Sequence, residues 1–300
     1  MSINIPGHFV TQYTTNVAHL LQIQGGKMRS LVSEDTHQGE SAVPVDQYGN
    51  VEMQEVTSRF APMPRVDAAV DRRWVYPIDY SLPQMVDTFD KLRLMVDPMG
   101  PLAQAGTKGV ARQIDNIIFD GFYASANTGK AGGTAETFDT TNHRVDAAIG
   151  AAADTGLNVD KILRAKRIMQ DANVDLEMED LYMAITPQQE EDLLRQTQVI
   201  NTDYFSKMGG APVLVDGKLE RFAGVKIVIS NLVQQNAAAT YRLCPMWVKS
   251  GMHLGVWKDV SARVDERPDI EGVPYQLYTC MTMGVTRLEP GRVIQIECTE

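Results

Sequence analysis

Residues 33–81 read SEDTHQGESAVPVDQYGNVEMQEVTSRFAPMPRVDAAVDRRWVYPIDYS. The stretch has no helical period, few large apolar side chains and prolines at positions 44, 62, 64 and 77. A segment this long without a core of its own is uncommon in a compact domain, and it is usually either disordered or used to bind something else. Strand-like pieces at 51–53 and 74–78, around a turn-like 47–50, favour order. We therefore predict a long two-stranded arm that packs on another copy of the chain.

The residues of this arm that we expect at the interface combine the predicted turn, three arginines and an aromatic side chain. A guanidinium group stays protonated and can pair with a carboxylate of a neighbouring copy. The expected interface residues are Tyr48, Gly49, Asn50, Arg59, Arg72, Arg73 and Trp74.

Composition predicts an ordinary core behind the arm. The 300 residues are 44% hydrophobic and 22% charged, enough for one large or two small domains. The net charge of -10 argues against a protein that recognises nucleic acid by direct binding, because phosphate binding depends on clustered Lys and Arg. An acidic protein can still enclose a nucleic acid without binding it tightly. No long apolar run and no basic leader are visible, so we expect neither a membrane span nor a signal peptide.

The sequence contains no pattern typical of a catalytic site, so we predict no catalytic residue, no cofactor site and no metal site. Cys244, Cys280 and Cys298 are widely spaced without a C-x-x-C pair, which is typical of reduced thiols. The five histidines lie far apart in the sequence and form no ligand motif. The Gly-Lys pair at 129–130 lacks the earlier glycine, the following hydroxyl and the preceding strand of a phosphate loop.

Helical periodicity begins after the arm. The apolar spacing predicts a short helix over 82–96, and Asp97 followed by Pro98 is typical of the start of another. This second helix is the longest expected, and Gly106 and Gly109 predict that it bends or begins late. Its predicted buried face consists of Val110, Ile114, Ile117, Ile118 and Phe122.

The rest of the chain alternates helix and strand, which predicts an α+β fold. We expect a helix over 157–174, a buried strand over 181–185, a capped helix starting after Thr186 and a strand over 222–230. Alternating apolar residues from 277 to 298, interrupted by a turn at 289–292, predict a closing C-terminal hairpin.

This order of features resembles the major capsid proteins of tailed phages, which have the HK97-like fold. The features are a strand-like N-terminal segment, the extended arm, the long helix after Pro98, a glycine-rich hook over 124–138, an α/β section and a closing hairpin. The stretches RRWVYP at 72–77, VARQIDNII at 110–118 and FAGVKIVISN at 222–231 carry the same resemblance. It covers nearly the whole chain.

The resemblance implies a division of the chain into four parts. These are an N-terminal arm (1–32), an extended loop (33–81), a peripheral domain built on the long spine helix (82–150 and 262–300) and an axial domain (151–261). The axial loop at 231–240 would then meet its copies at the five-fold and six-fold axes. No long coiled-coil region precedes the arm, which implies a separate scaffolding protein or none.

The resemblance also implies a structural role and a set of partners. Copies of the chain would form pentamers and hexamers of an icosahedral shell around double-stranded DNA, without sequence-specific binding, an enzymatic activity, a cofactor or a membrane. A portal, a scaffolding protein and a cement protein are further implied partners. The location would be the virion, after assembly in the cytoplasm of the host bacterium.

Two alternatives stay open at this point. An encapsulin-like protein compartment would use the same fold around a protein cargo, and an α/β enzyme without a recognisable motif is the alternative from a different class.

One further expectation concerns the shell itself. Isopeptide welding of subunits needs a neutral lysine on the extended loop, yet no lysine lies between Lys27 and Lys91. We therefore predict a shell held without covalent cross-links.

Overall fold

A computed structural model of the chain describes residues 25–49, 51–53, 55, 59, 65–87, 99–151, 153–196, 214–215, 218–219, 221–238 and 240–300. Three α-helices follow one another along these residues: α1 (Met99–Tyr123), α2 (Val159–Asp171) and α3 (Pro187–Leu194). The strands are β1 (Ser33–Thr36), β2 (Ala42–Tyr48), β3 (Val70–Val75), β4 (Ile78–Val86), β5 (Ala126–Thr128), β6 (Thr134–Glu136), β7 (Arg144–Val145), β8 (Leu181–Ile185), β9 (Leu214–Val215), β10 (Lys218–Leu219), β11 (Arg221–Phe222), β12 (Val225–Ile229), β13 (Tyr241–Val248), β14 (Met252–Glu266), β15 (Tyr275–Arg287) and β16 (Val293–Thr299).

The described residues form two compact units. The smaller contains Gly25, 79–113 and 258–282, and the larger contains 26–78, 114–257 and 283–300. In the smaller unit the far end of β14, the first part of β15 and β4 lie side by side in that order. The first half of α1 belongs to this unit, where the Leu82 side chain lies beside Gly106.

A six-stranded mixed sheet organises the larger unit, in the order β11-β12-β8-β13-β16-β7. Strand β12 runs parallel to β8, whereas β13 is antiparallel to both β8 and β16. All five residues of β8 are buried, which explains its continuous apolar sequence. Helix α2 packs on β16 and β7.

The core of this unit centres on Trp247, whose side chain is fully buried. The ring centroid of Phe122 lies 4.8 Å from that of Trp247, and the Tyr182 ring stacks on the indole with its centroid 5.9 Å away. The indole Nε1 of Trp247 donates a hydrogen bond of 3.0 Å to the carbonyl of Leu31, which satisfies its buried polar group. The sheet, the second half of α1 and the start of the described chain therefore share one core.

Helix α1 differs from the sequence-based expectation at its start. It runs without interruption from Met99 through Gly106 and Gly109, so the predicted late start is wrong. At Gly121 a Cβ atom would overlap the Val285 side chain, so the lack of a side chain lets α1 pack closely on β15. Packing of this kind offsets the weak helix propensity of glycine.

Two further predictions are wrong. Residues 82–86 belong to strand β4, although a helix was expected from 82 to 96; residues 88–96 lie outside the described residues. The strands β15 and β16 do not form a hairpin, since β15 lies between β14 and β4 whereas β16 lies between β13 and β7. Alternating apolar residues suit a strand with any partner, so the pattern could not identify which strand would pair with which.

Other sequence-based elements are confirmed. Helix α2 begins after Asn158, whose side chain accepts a hydrogen bond from the backbone N–H of Lys161 at 2.8 Å. Helix α3 has the expected capping box, in which the Gln189 side chain accepts from the N–H of Thr186 at 2.9 Å. The strand predicted over 222–230 is confirmed only for 225–229, which form β12. Phe222 ends β11, and a turn at 223–224 separates the two strands.

Candidate assembly interface

The extended segment forms a two-stranded ribbon. Strand β2 runs antiparallel to β3, with Tyr48 opposite Val70 at the outer end. The pairing continues one step further, because the N–H of Gly49 donates a hydrogen bond of 2.6 Å to the carbonyl of Ala69. The predicted two strands are therefore present, but they span 42–48 and 70–75 and not 51–53 and 74–78. The turn predicted over 47–50 is wrong at 47 and 48, which belong to β2.

The outer end of the ribbon and the described residues beyond it in the sequence expose large apolar side chains. Tyr48 is 72% exposed and Met53 is fully exposed, and Val51, Val66 and Val70 are also accessible. Single exposed apolar residues are common on protein surfaces, but a group on one extended segment marks an interaction surface. This group of five, which we call the apolar ribbon, is the candidate interface.

The inner end of the ribbon is fixed by a buried arginine. Arg73 is only 5% exposed, and its guanidinium forms an ion pair with Glu136 of β6. Its Nε also donates to the Gln47 side chain at 3.3 Å, and the Gln47 amide in turn donates to the carbonyl of Leu288 at 2.7 Å. Charged groups that are buried and paired in this way hold a rigid geometry.

The glycine-rich hook contributes to the same end of the ribbon. It forms the hairpin β5–β6, and β5 pairs with β3. The indole Nε1 of Trp74 donates to the carbonyl of Gly129 at 2.7 Å, and the Gly129 N–H donates to the Asp71 carboxylate at 3.0 Å. Gly129 adopts a positive φ of 84°, a conformation that side chains disfavour.

The structure distributes the expected interface residues over these two ends. Tyr48 and Gly49 lie at the outer end, and Arg59 is exposed. The Arg72 Nε lies 2.8 Å from the Asp46 carboxylate across the ribbon. Arg73 and Trp74 have their partners within the chain, as described above. Asn50 lies outside the described residues.

The expected buried face of the long helix is buried in its second half. The side chains of Ile114, Ile117, Ile118 and Phe122 are buried, whereas Val110 is only half-buried. Half-burial of Val110 is consistent with its place beside a groove of about 210 Å³, which Leu82 and Cys280 also line.

Two polar contacts of α1 had no signal in the sequence pattern. The Asp115 carboxylate accepts hydrogen bonds from the backbone N–H groups of Lys27 and Met28, at 3.3 and 3.1 Å. Burial raises the pKa of Asp115, and these hydrogen bonds oppose that shift. Such a contact joins residues 87 or more positions apart, so helical periodicity carries no trace of it.

The other contact fixes the end of α1. The Nη1 of Arg287 donates to the carbonyls of Phe122 at 2.9 Å and Ala124 at 3.1 Å, which satisfies acceptors that the helix end leaves unpaired. Burial lowers the pKa of Arg287 to about 10. A cation at this position also interacts favourably with the negative end of the helix dipole.

The described part of the chain contains no cluster of three or more His, Cys, Asp or Glu side chains arranged to hold a metal ion. Among the same residues, no helix is both long and apolar enough to cross a membrane. The ribbon offers exposed apolar side chains on a fixed base, which is typical of a contact surface.

A family model described as phage capsid protein matches residues 5–300 of the chain. No curated protein sequence matches the chain.

Several solved capsid structures resemble the fold at low sequence identity. The capsid protein of cyanophage Pam1 has a TM-score of 0.75 at 12% identity, covering 99% of this chain and 98% of that one. The capsid protein of cyanophage P-SCSP1u has a TM-score of 0.74 at 16% identity, with coverage of 98% and 94%. The head protein of the Helicobacter pylori bacteriophage KHP40 has a TM-score of 0.72 at 10% identity, with coverage of 99% and 97%.

Proposed function

Because the chain belongs to the phage capsid protein family, it is a major capsid protein of a tailed phage, and we propose that its copies join through the extended loop to form an icosahedral head shell. Each loop would lie over a neighbouring copy. The sum of many such modest interfaces would hold the packaged genome.

The apolar ribbon is the observation that carries this proposal. Its inner end is fixed by the ion pair of Arg73 with Glu136 and by the Trp74 hydrogen bond, so the outer end projects from a rigid base. Tyr48 and Met53 expose apolar area that would leave water on contact with a partner. Removing apolar area from water contributes about 25 cal/mol per Å² before the costs of association are subtracted.

We assign the parts of the chain as in capsid proteins of the HK97-like fold. In this assignment 1–32 is the N-terminal arm, 33–81 the extended loop, 82–150 and 262–300 the peripheral domain, and 151–261 the axial domain. The uninterrupted helix α1 supports the choice of a spine helix, and the ribbon β2–β3 supports the choice of the loop. The loop at 231–240 would then face the five-fold and six-fold axes.

The acidic composition suits the inner surface of a shell that holds double-stranded DNA. A net charge of -10 gives weak attachment to phosphate, so that the DNA can move during packaging and ejection. In this proposal the protein has no enzymatic activity, acts in the virion and assembles in the cytoplasm of the host. A portal, a scaffolding protein and a cement protein would complete the head.

The family match favours a phage shell over both alternatives, the encapsulin-like compartment and the α/β enzyme. Assembly tests the proposal. The purified full-length chain should sediment as capsomers of five or six copies or as closed shells, which negative-stain images would show directly. A chain that remains a monodisperse 33.2 kDa monomer at every concentration would contradict it.

A further inference from the structure

Two histidines that lie 216 residues apart in the sequence meet where the extended loop begins. The Nε2 atoms of His37 and His253 are 2.8 Å apart, and the ring centroids are 5.1 Å apart. A hydrogen bond between two imidazole nitrogens needs an N–H on one ring and a lone pair on the other. The bond can therefore exist when both rings are neutral or one is charged, but not when both are charged.

The pair is held in a tight setting. His253 is only 2% exposed on β14, and the Trp257 ring lies 5.4 Å from the ring of His37. Gly255 lies beneath them, where a Cβ atom would come within 2.9 Å of both the His37 and the Trp257 rings. Because the two Nε2 atoms are at hydrogen-bond distance, two like charges here would repel each other and weaken the attachment of the strand.

Few charges are placed to offset a second proton. The Asp35 carboxylate lies 3.8 Å from Nδ1 of His253, but its side chain is 70% exposed and therefore screened by solvent. The Ser33 hydroxyl, 3.4 Å from the same nitrogen, is neutral. Burial, followed by the charge of His37, lowers the pKa of His253 to about 4, while Asp35 opposes the shift.

The remaining charged groups on this side line a cavity of about 300 Å³ that His253 shares with Glu289 and Arg292. Arg292 pairs with Glu289 and also with Glu179, at 2.9 Å. The Glu289 carboxylate is therefore already paired, which leaves the exposed Asp35 as the carboxylate of this cavity that lies beside the histidine pair.

The histidine pair secures a weak strand. Strand β1 has four residues, lies at the edge of β14 in parallel register and is mostly exposed. The N–H of His37 donates to the carbonyl of Val256 at 2.9 Å, and the Trp257 indole donates to the carbonyl of Gly39 at 2.8 Å. The chain then continues directly into β2. Short exposed edge elements of this kind open at low free-energy cost.

We propose that His37 and His253 form a protonation-sensitive latch that holds the start of the extended loop on β14 and releases it when both imidazoles are charged. The open strand would bind protons more readily than the closed one, because an unfolded histidine has a pKa near 6.5. Lowering the pH from about 6.5 towards 4 therefore favours opening, and raising it favours closure.

Hydrogen exchange tests the latch on the full-length chain, with a metal chelator present throughout. Exchange of the amides at 34–37 is measured at pH 7 and pH 4.5, corrected for the intrinsic rate and compared with the buried strand β8. We expect protection at 34–37 to fall by at least about tenfold at the lower pH while β8 stays protected. In the His37→Gln variant the repulsion between two charged imidazoles is absent while the burial of His253 remains, so protection should fall clearly less than in the unaltered chain.

A second histidine provides the matched control. His143 is half-buried and its pKa is also lowered by burial, so His143→Gln should respond to pH as the unaltered chain does. Protection at 34–37 that does not change with pH would overturn the latch. So would an unchanged response in His37→Gln, or an equal loss in β8, which would indicate global acid unfolding. None of these outcomes depends on particle formation, which sedimentation and negative-stain imaging measure separately.

Discussion

Asp115 of helix α1 accepts a hydrogen bond of 3.1 Å from the backbone N–H of Met28, whose side chain is fully buried. The same carboxylate accepts from the N–H of Lys27. One helix side chain thereby replaces the backbone partners that a strand or helix would have given to residues 27 and 28. This contact holds residues 27 and 28 against helix α1, where the Met28 side chain enters the core.

Removing that carboxylate should destabilise the chain measurably. In Asp115→Ala the two N–H groups lose their acceptor, which costs about 1–3 kcal/mol when such groups are buried. The midpoint of urea unfolding should fall accordingly. Asp120, exposed on the same helix and bonded to Gln234, is the matched control, and Asp120→Ala should change stability by less than about 0.5 kcal/mol. Equal effects of the two substitutions would show that the Met28 contact is unimportant.

Local signals in the sequence were sufficient for elements that are decided locally. The Thr186 and Gln189 capping box and the all-apolar β8 both follow from neighbouring residues, and both are confirmed. Strand partners could not be predicted in the same way, and β15 and β16 were wrongly joined in a hairpin. Pairing is decided by the whole fold, and so is the contact between His37 and His253.

Within the candidate interface, the sequence predicted the segment better than the role of each residue. The lack of a core in residues 33–81 pointed to a two-stranded arm, and β2 and β3 form its two strands. The same reasoning did not separate Tyr48, which is exposed, from Arg73, which is buried against Glu136. The partner of Arg73 comes from the glycine-rich hairpin, and its proximity depends on tertiary structure alone.

The three cysteines should differ sharply in reactivity. The Cys280 thiol lies 3.2 Å from the Ser261 hydroxyl and 3.1 Å from the Lys258 ammonium, and these hydrogen bonds lower its pKa. Cys244 is buried, and its hydrogen bond with Cys298 together with burial raises its pKa well above the ordinary value. A lower pKa gives more thiolate at a given pH, so Cys280 should react first.

Alkylation with iodoacetamide at pH 7.5, followed by peptide mass spectrometry, measures this difference. We expect one label per folded chain, at Cys280, and three labels only after unfolding. Lys258→Met should move the half-maximal labelling rate of Cys280 to higher pH, since one stabilising hydrogen bond is lost. Labelling of Cys244 or Cys298 at the same rate as Cys280 would contradict the account.

The absence of lysine from the extended loop leads to a prediction about mature particles. Between Lys27 and Lys91 the positive charges are arginines, which stay protonated and cannot attack an amide. Particles boiled in denaturant with reductant should therefore run as one band near the 33.2 kDa monomer. A ladder of multimers that survives this treatment would show covalent cross-links and refute a non-covalent shell.

The apolar ribbon can be tested without disturbing the fold, because its side chains are exposed. Replacing Tyr48 and Met53 by serine removes apolar area that, in our proposal, leaves water only on assembly. Met178 is 85% exposed and lies outside the ribbon, so Met178→Ser is the matched control. Unfolding temperatures of all three proteins should agree, since exposed substitutions away from special features change stability little.

The fraction of chain that sediments as capsomers or shells, measured over a concentration series, tests the central claim most directly. Each buried apolar side chain contributes about 1.5–3 kcal/mol, and a factor of ten in affinity corresponds to about 1.4 kcal/mol. The Tyr48→Ser, Met53→Ser double variant should therefore need at least about tenfold more protein to assemble, while Met178→Ser assembles like the unaltered chain. Assembly of the double variant at the unaltered concentration would contradict the assignment of the ribbon as the interface.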